Sequence, residues 1–246
     1  LAAAAVATTM GPKNAFAAPV ATSPDGTAVT LRLGDGSTQS FPAQPLPSDY
    51  AKGLKLPITD ITDKVFGFAD YAPEYPLTPK DMKRLDESDD SSFYDAPRLV
   101  YHIDGGAVAA LTHYYAETIQ PKGLDVLDIC SSWVSHYPPS FGASAASIVG
   151  TGMNSLELQA NQQFTSFVAA DLNKKTELPF PSNSFDVVTC VVSVDYLTNP
   201  LKVFQEVHRV LKPGGRFILS QSNRLFFTKA VAIWLGLGDL DRLELR

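Results

Sequence analysis

The chain has 246 residues, of which 45% are hydrophobic and 19% charged, a composition typical of one large globular domain or of a domain with an arm. Its net charge of -6 argues against a nucleic-acid partner, because phosphate binding requires a basic face. No run of about 18 apolar residues occurs, so no membrane span is predicted. Cys130 and Cys190 lie in or beside apolar runs, which predicts buried thiols and no metal site.

Residues 1–17 resemble the end of an export signal. The apolar run LAAAAVATTM is followed by Ala15-Phe16-Ala17, which has the small-x-small form of a signal-peptidase site. The alternative is a flexible alanine-rich tail. Because alanine-rich runs of this kind resemble thylakoid-transfer and twin-arginine signals, the predicted location is the plastid thylakoid lumen. A bacterial periplasm and the plastid stroma are the alternatives.

Residues 18–98 predict an irregular, proline-rich N-terminal arm. Within it, AVTLRLGDGSTQSF alternates apolar and polar residues around Gly34-Asp35-Gly36, which indicates a β-hairpin with a tight turn. The stretch PKDMKRLDE predicts a short helix, and an acidic patch extends from Asp86 to Asp95. We interpret this patch either as solvated surface or as a docking surface for a partner protein.

Residues 99–246 predict an α/β domain, because short apolar strands alternate with helical patterns. The strands are LDVLDIC (124–130), ASIVGTGM (146–153), SFVAADL (166–172), FDVVTCVVSV (185–194) and RFILSQS (216–222). The helices are GAVAALTHYYAETI (106–119), SLELQANQQF (155–164), LKVFQEVHRVLKP (201–213) and one beginning in FFTKAVAIWLG. Near-continuous apolar strands indicate a doubly wound, mostly parallel sheet covered on both faces. Ligands of such sheets bind beyond the carboxyl ends of the strands.

The segment FPSNSFDVVTCVVSVDYLTNPLKVFQEVHRVLKPGGRFILS resembles the second half of a class I S-adenosylmethionine-dependent methyltransferase. The resemblance runs through LPF, SFD and LKPGG in order and covers roughly residues 99–235. With its SSWVSH loop and nearby HID, the chain is similar to a plant, algal and bacterial branch of methyltransferase-like proteins. The resemblance implies a Rossmann-like fold, S-adenosylmethionine as cofactor, and a small-molecule or protein methyl acceptor.

The resemblance also locates the cofactor positions. VLDICSSW falls where the family has LDxGxGxG, so the acid is kept but Cys130, Ser132 and Val134 replace the three glycines. A glycine turn lets the backbone approach the cofactor closely, and here the serine hydroxyls would have to hydrogen-bond its carboxylate instead. Gly152 stands where the family has an acid for the ribose hydroxyls. The predicted cofactor contacts are Asp128, Ser131, Ser132, Gly152, Asn154, Asp171, Leu172 and Ser193.

Two classes of function therefore stay open. As an enzyme, the protein would transfer a methyl group, with His136, Asp195 and Tyr196 as candidates for a general base, although a structural role suits each of them as well. As a non-catalytic scaffold, it would serve as an accessory subunit of a thylakoid complex such as a photosystem. The chain ends at DRLELR, where the family continues with a helix and two antiparallel strands, so we expect a C-terminally incomplete domain or an open sheet edge. A protein partner would bind through that edge or through the arm.

Overall fold

A computed structural model describes residues 21–50, 74–238 and 241. The N-terminal arm begins with a three-stranded antiparallel sheet made of β1 (Ala21–Thr22), β2 (Ala28–Arg32) and β3 (Thr38–Pro42). Strands β2 and β3 form the predicted hairpin, in which Arg32 pairs with Thr38 across the turn and Gly36 has a φ of 86°. The predicted export signal lies outside the described residues.

The five helices are short or of moderate length. They are α1 (Asp90–Phe93), α2 (Gly105–Thr118), α3 (Ser155–Ala160), α4 (Pro200–Val210) and α5 (Ala232–Gly236) among the described residues. The helix predicted at PKDMKRLDE is wrong, because that stretch forms turns instead. Its polar side chains bond to nearby backbone, with Asp81 accepting from the amide of Thr78 and Glu87 from the amide of Arg84. Such local bonds compete with a helix.

A five-stranded parallel sheet forms the centre of the fold. Its strands are β4 (Asp125–Ile129), β5 (Ser147–Gly152), β6 (Ser166–Ala169), β7 (Phe185–Val191) and β8 (Leu211–Ser220). Their order is β6-β5-β4-β7-β8, and every neighbouring pair is parallel. The prediction of a Rossmann-like α/β fold is therefore confirmed.

Both faces of this sheet are covered, as the continuous apolar strands predict. Because successive side chains point to opposite faces, Val126 and Val187 pack with Tyr115 of α2 on one side. Leu127 and Val188 pack on the other side with the apolar residues of α4, and both clusters are almost fully buried. Each face of the sheet therefore has its own hydrophobic core. The two cores hold the strands in place, and the candidate site lies at the carboxyl ends of these strands.

The arm packs against the α/β domain. Its sheet contributes Val29 and Leu31 to a small core that also contains Leu99, with Leu156 and Trp133 packed against it. A second attachment is ionic and lies inside the acidic patch. The carboxylate of Asp90 binds both Arg84 and the fully buried Lys229, which also pairs with Asp86. Asp90 is thus not solvated surface, unlike the exposed Asp89.

Candidate functional site

A cavity of about 670 Å³ lies beyond the carboxyl ends of β4, β5, β6 and β7. One wall consists of residues that directly end or follow these strands. The opposite wall consists of Tyr94, Arg98, Tyr101 and His102 from the segment before α2, with Phe226 from the loop after β8. All the predicted cofactor positions line this single cavity: Asp128, Ser131, Ser132, Gly152, Asn154, Asp171, Leu172 and Ser193. They stay predictions as contacts, but the fold brings them together.

The loop after β4 keeps a left-handed residue where the family has its first glycine. Cys130 has a φ of 53°, a conformation that costs a residue with a Cβ about 1–2 kcal/mol. Directly after it, the amide of Ser131 donates to the carbonyl of Thr151 at 2.8 Å, so the loop crosses closely over the end of β5. The glycine motif has changed in sequence, but its sharp turn persists.

Gly152 is the residue that permits this crossing. A Cβ at this position would collide with the carbonyl oxygen of Ser131, and the collision is between backbone groups that cannot rotate away. The resemblance described in the sequence analysis indicates only that an acid is missing at Gly152. In the structure its small size is the essential property, because it holds the loop against β5.

We expect Gly152→Ala to lower the free energy of unfolding by about 1–3 kcal/mol, the usual cost of overpacking. The matched control is Gly142→Ala, where the nearest atom to an added Cβ is Ile148 Cδ1 at an ordinary 3.8 Å. Urea unfolding of both variants measures the difference. Equal stability of the two would show that the loop does not need the close approach.

Asp128 is buried, and hydroxyl groups donate hydrogen bonds to both of its carboxylate oxygens. Its carboxylate accepts from Ser131 Oγ at 2.6 Å and from Thr189 Oγ1 at 2.8 Å. Burial raises the pKa of Asp128 to about 6, although these hydroxyls lower it in part. Because Ser131 donates its only hydrogen to Asp128, its oxygen can still accept a hydrogen bond but cannot donate one to a cofactor carboxylate.

Ser132, Asn154 and Glu157 are engaged in holding the arm. Ser132 Oγ donates to Glu157 Oε2 at 2.7 Å, and the other oxygen of Glu157 accepts from the amide of Arg98. Asn154 Nδ2 donates to the carbonyls of Tyr94 and Asp95, while its oxygen caps α3. Asn154 and Glu157 lie nearest to the position at which the family has its ribose-binding acid. Here both side chains bond to the backbone of the opposite wall of the cavity.

Asp171 keeps one carboxylate oxygen for a ligand. Its Oδ1 accepts from the amides of Asn173 and Lys174, and its Oδ2 makes no hydrogen bond with the described residues. Leu172 follows it and is buried. An unpaired acceptor beside an apolar side chain fits an aromatic amine such as that of adenine. By contrast, Ser193 Oγ donates to the carbonyl of Val191 at 2.8 Å.

The three candidates for a general base differ in position. His136 and Tyr196 line the cavity, whereas Asp195 is buried and does not. Burial raises the pKa of Tyr196 far above its ordinary value, and its hydroxyl accepts from the amide of Phe226. Burial lowers the pKa of His136 to about 4, with His102 adding to the shift, so the imidazole is neutral at pH 7.

The sequence does not indicate most of the opposite wall of the cavity, which is called the second wall below. Tyr94 and Arg98 fall within the predicted arm and Tyr101 lies before the first predicted helix of the domain, yet all three line the cavity. The guanidinium of Arg98 lies 4.5 Å from the ring centre of Phe93 and 5.6 Å from that of Phe226. No periodicity marks these residues, and the only signal was a local excess of tyrosine next to the domain boundary.

The residues that the structure describes contain no helix that is both long and apolar enough to cross a bilayer. Within the same ranges, no group of three or more His, Cys, Asp or Glu side chains is placed to hold a metal ion. Both cysteines are free thiols, with Cys190 buried and Cys130 half-buried.

The parallel sheet and its strand-end cavity define a Rossmann-like domain. Residues 140–219 match the family model described as a methyltransferase domain, in agreement with the resemblance of this part of the sequence to S-adenosylmethionine-dependent methyltransferases. The matched residues include β5 to β7, α4 and nearly all of β8. They do not include β4 and its altered loop.

Curated relatives match parts of the chain. The mouse mitochondrial 2-methoxy-6-polyprenyl-1,4-benzoquinol methylase is 37% identical over 83 residues, which are 32% of this chain and 25% of the relative. The ubiquinone biosynthesis O-methyltransferase of Pseudomonas aeruginosa (strain LESB58) is 33% identical over 111 residues, 42% of this chain and 46% of the relative. The chain thus spans less than half the length of these relatives.

Among solved structures, the YcgJ protein of Bacillus subtilis is similar at 25% identity and a TM-score of 0.39. The similarity covers 44% of this chain and 49% of the other.

Proposed function

We propose that the protein transfers a methyl group from S-adenosylmethionine to a small-molecule acceptor. The observation that carries this proposal is the free Oδ2 of Asp171 beside Leu172, at the strand-end cavity of a domain that matches the methyltransferase family. We also propose that the chain belongs to the plant, algal and bacterial branch that its SSWVSH loop resembles.

The cavity residues fit the two ends of the cofactor differently. Asp171 would accept from the adenine amine, with Leu172 against the ring. At the other end, the oxygens of Ser131 and Ser132 have donated their hydrogens to Asp128 and Glu157, so they would accept from the cofactor's ammonium group. S-adenosylmethionine supplies an electrophilic methyl group on a sulfonium. The chain contributes by holding the acceptor in line with that carbon and by excluding water.

We propose a small acceptor that carries a ring. The relatives are named for the methylation of a benzoquinol and for ubiquinone biosynthesis. The cavity supports the same choice, since its second wall contains the rings of Tyr94, Tyr101 and Phe226. A cavity of about 670 Å³ is within the range for small-molecule sites.

We expect Asp171→Asn to raise the dissociation constant of S-adenosylhomocysteine about 10–100-fold, because one hydrogen bond to a charged group is lost. The amide oxygen still accepts from Asn173 and Lys174, so the turn is kept while the free acceptor becomes a donor. The control is Asp104→Asn, which retains the cap of α2 away from the cavity. Isothermal titration measures the affinity. Absence of binding to the unaltered protein at high micromolar concentration would overturn the enzyme proposal.

A non-catalytic scaffold is the second candidate, as an accessory subunit of a thylakoid complex. What favours it is the engagement of Ser131, Ser132, Asn154 and Glu157 within the protein, where an active family member would use this region for its cofactor. On this alternative, the protein is recovered from solubilised membranes in a large complex. Recovery only as a free monomer would contradict it.

A further inference from the structure

His136 is a cavity-lining side chain for which the protein provides no polar partner. Its exposed fraction is 9%, and neither ring nitrogen has a hydrogen bond to the described residues. Nδ1 is completely enclosed, which leaves Nε2 as the nitrogen that a ligand in the cavity can reach. An imidazole nitrogen that faces a cavity without a hydrogen bond to the described residues is open to a hydrogen bond with a ligand.

The backbone conformation of His136 is a second observation that points to a ligand site. Its φ of 60° lies in the left-handed region, which is uncommon for any residue except glycine and, less often, asparagine, aspartate or histidine. Strained residues of this kind cluster at ligand sites, where the surrounding structure holds them in place. The strain and the unpaired imidazole are independent observations, and both lie at the same position.

The rings around His136 indicate the shape of that ligand. The Tyr101 ring centre is 6.3 Å from that of His136, and Trp133 packs edge-on against Tyr101 at 5.2 Å. Trp133 is itself fixed, because its indole nitrogen donates to the carbonyl of Val100. On the far side, His102 contacts Phe226 with 5.6 Å between ring centres. These rigid rings form a wall that suits a planar molecule.

A hydroxyl is the group that best satisfies the imidazole. A neutral histidine carries one donor and one acceptor nitrogen, and a hydroxyl pairs with either because it both donates and accepts. A carboxylate could pair only with a donating nitrogen, and an ammonium only with an accepting one. We propose, resting on the methyltransferase function above, that His136 recognises a hydroxyl on a planar ring of the methyl acceptor.

The test compares phenol with toluene, two rings of equal size of which only one carries a hydroxyl. Ligand-detected NMR measures both dissociation constants, with and without S-adenosylhomocysteine. The unaltered protein is expected to prefer phenol at least about tenfold, because a site with an unpaired polar group rejects a ligand that lacks the matching group. In His136→Gly the preference falls to near unity, while toluene binding changes less than about threefold. Glycine adopts the left-handed backbone without cost, so the variant keeps the loop.

Chemical rescue separates recognition from a purely structural role. Added imidazole is expected to restore the phenol preference of His136→Gly, whereas thiophene, a ring of the same size without nitrogen, is not. His113→Ala, an exposed histidine of α2 that pairs with Glu117, is the control and should behave as the unaltered protein.

Equal affinity of the unaltered protein for phenol and toluene would overturn this inference even if S-adenosylhomocysteine binds. Failure of S-adenosylhomocysteine to bind would overturn the enzyme proposal instead. The preference for phenol over toluene is then judged from the dissociation constants measured in the absence of S-adenosylhomocysteine. Rescue by thiophene as well as by imidazole would reduce His136 to a packing role and overturn its role in recognition.

Discussion

Asp90→Asn is expected to lower the free energy of unfolding by about 3–5 kcal/mol, the usual cost of removing one partner from a buried ion pair. Asp90 is 5% exposed and lies between Arg84, at 2.8 Å, and Lys229, at 3.1 Å. Burial alone would raise the pKa of Asp90, but Arg84, Asn173 and Lys229 outweigh it and hold that pKa below its ordinary value. Without the carboxylate, two buried cations face a neutral amide.

The neighbouring residue provides the matched control. Asp89 pairs with Lys174 at 2.6 Å, but both side chains are about half exposed, so solvent screens this pair and it contributes little to stability. Asp89→Asn keeps the cap on the amide of Ser91 and removes only the charge. Urea unfolding at pH 7 compares the two variants. If they lose the same amount of stability, Asp90 is not the buried centre of this cluster.

A second change tests the cause of the loss. Adding Lys229→Met to Asp90→Asn removes one of the two cations that have lost this carboxylate, and we expect this double variant to recover part of the stability. The cluster also reaches the cavity, because Asn173 Nδ2 donates to both Asp90 and the carbonyl of Tyr196. Loss of Asp90 should therefore also weaken ligand binding, through displacement of the arm.

The central fold was predictable because it depends on local pattern. Apolar residues in β4 and β7 continue without alternation, which indicates burial on both faces, and the structure divides them between two cores. The start of α4 was predicted within one residue, but its end at Pro213 was predicted too late, because α4 ends at Val210 and β8 begins at Leu211. Helix α3 was predicted too long. It ends at Ala160 because Asn161 turns its side chain to Ser132 and Ser135 in the neighbouring loop.

The second wall of the cavity was not predictable, because it depends on contacts between distant parts of the chain. Lys229 bonds to the carbonyl of Ser88 across 141 positions, and the amide of Arg98 reaches Glu157 across 59. No local periodicity contains such pairings. The sequence likewise identified the hydroxyls of Ser131 and Ser132 but not their direction, which is set by Asp128 and Glu157 on the neighbouring elements.

The buried carboxylate of Asp128, at the end of β4, predicts that the free energy of unfolding depends on pH. The pKa of Asp128 is about 6 in the folded protein, above its ordinary value of 3.8, so between these values the folded state binds more protons than the unfolded state. Stability from this group therefore falls as pH rises from about 4 to about 6. The total loss is about 3 kcal/mol, since one pKa unit corresponds to about 1.4 kcal/mol.

His136 acts in the opposite direction over nearly the same range. Its folded pKa of about 4 lies below its ordinary value of 6.5, so the unfolded state binds more protons and stability rises with pH across this window. The two effects offset each other in the unaltered protein. The contribution of Asp128 therefore becomes visible only by comparison with a variant.

Asp128→Asn is that variant, because it removes one titration and leaves His136 in place. The difference in unfolding free energy between variant and unaltered protein is expected to shift in favour of the variant by about 2 kcal/mol from pH 4 to pH 6, and to be nearly constant above pH 7. Hydroxyls can rotate to accept from the new amide, so the hydrogen-bond network is retained. Urea unfolding at intervals from pH 4 to 7.5 measures the curve.

Ser131→Ala provides the complementary change. It removes a hydroxyl that lowers the pKa of Asp128, so the fall in stability should extend to higher pH than in the unaltered protein. If Asp128→Asn instead runs parallel to the unaltered protein at every pH, the carboxylate does not titrate in this range and the hydroxyls outweigh its burial. If both shifts appear, the hydrogen of Ser131 is held by Asp128, and a cofactor at this end of the cavity meets an acceptor oxygen instead of the open backbone of a glycine turn.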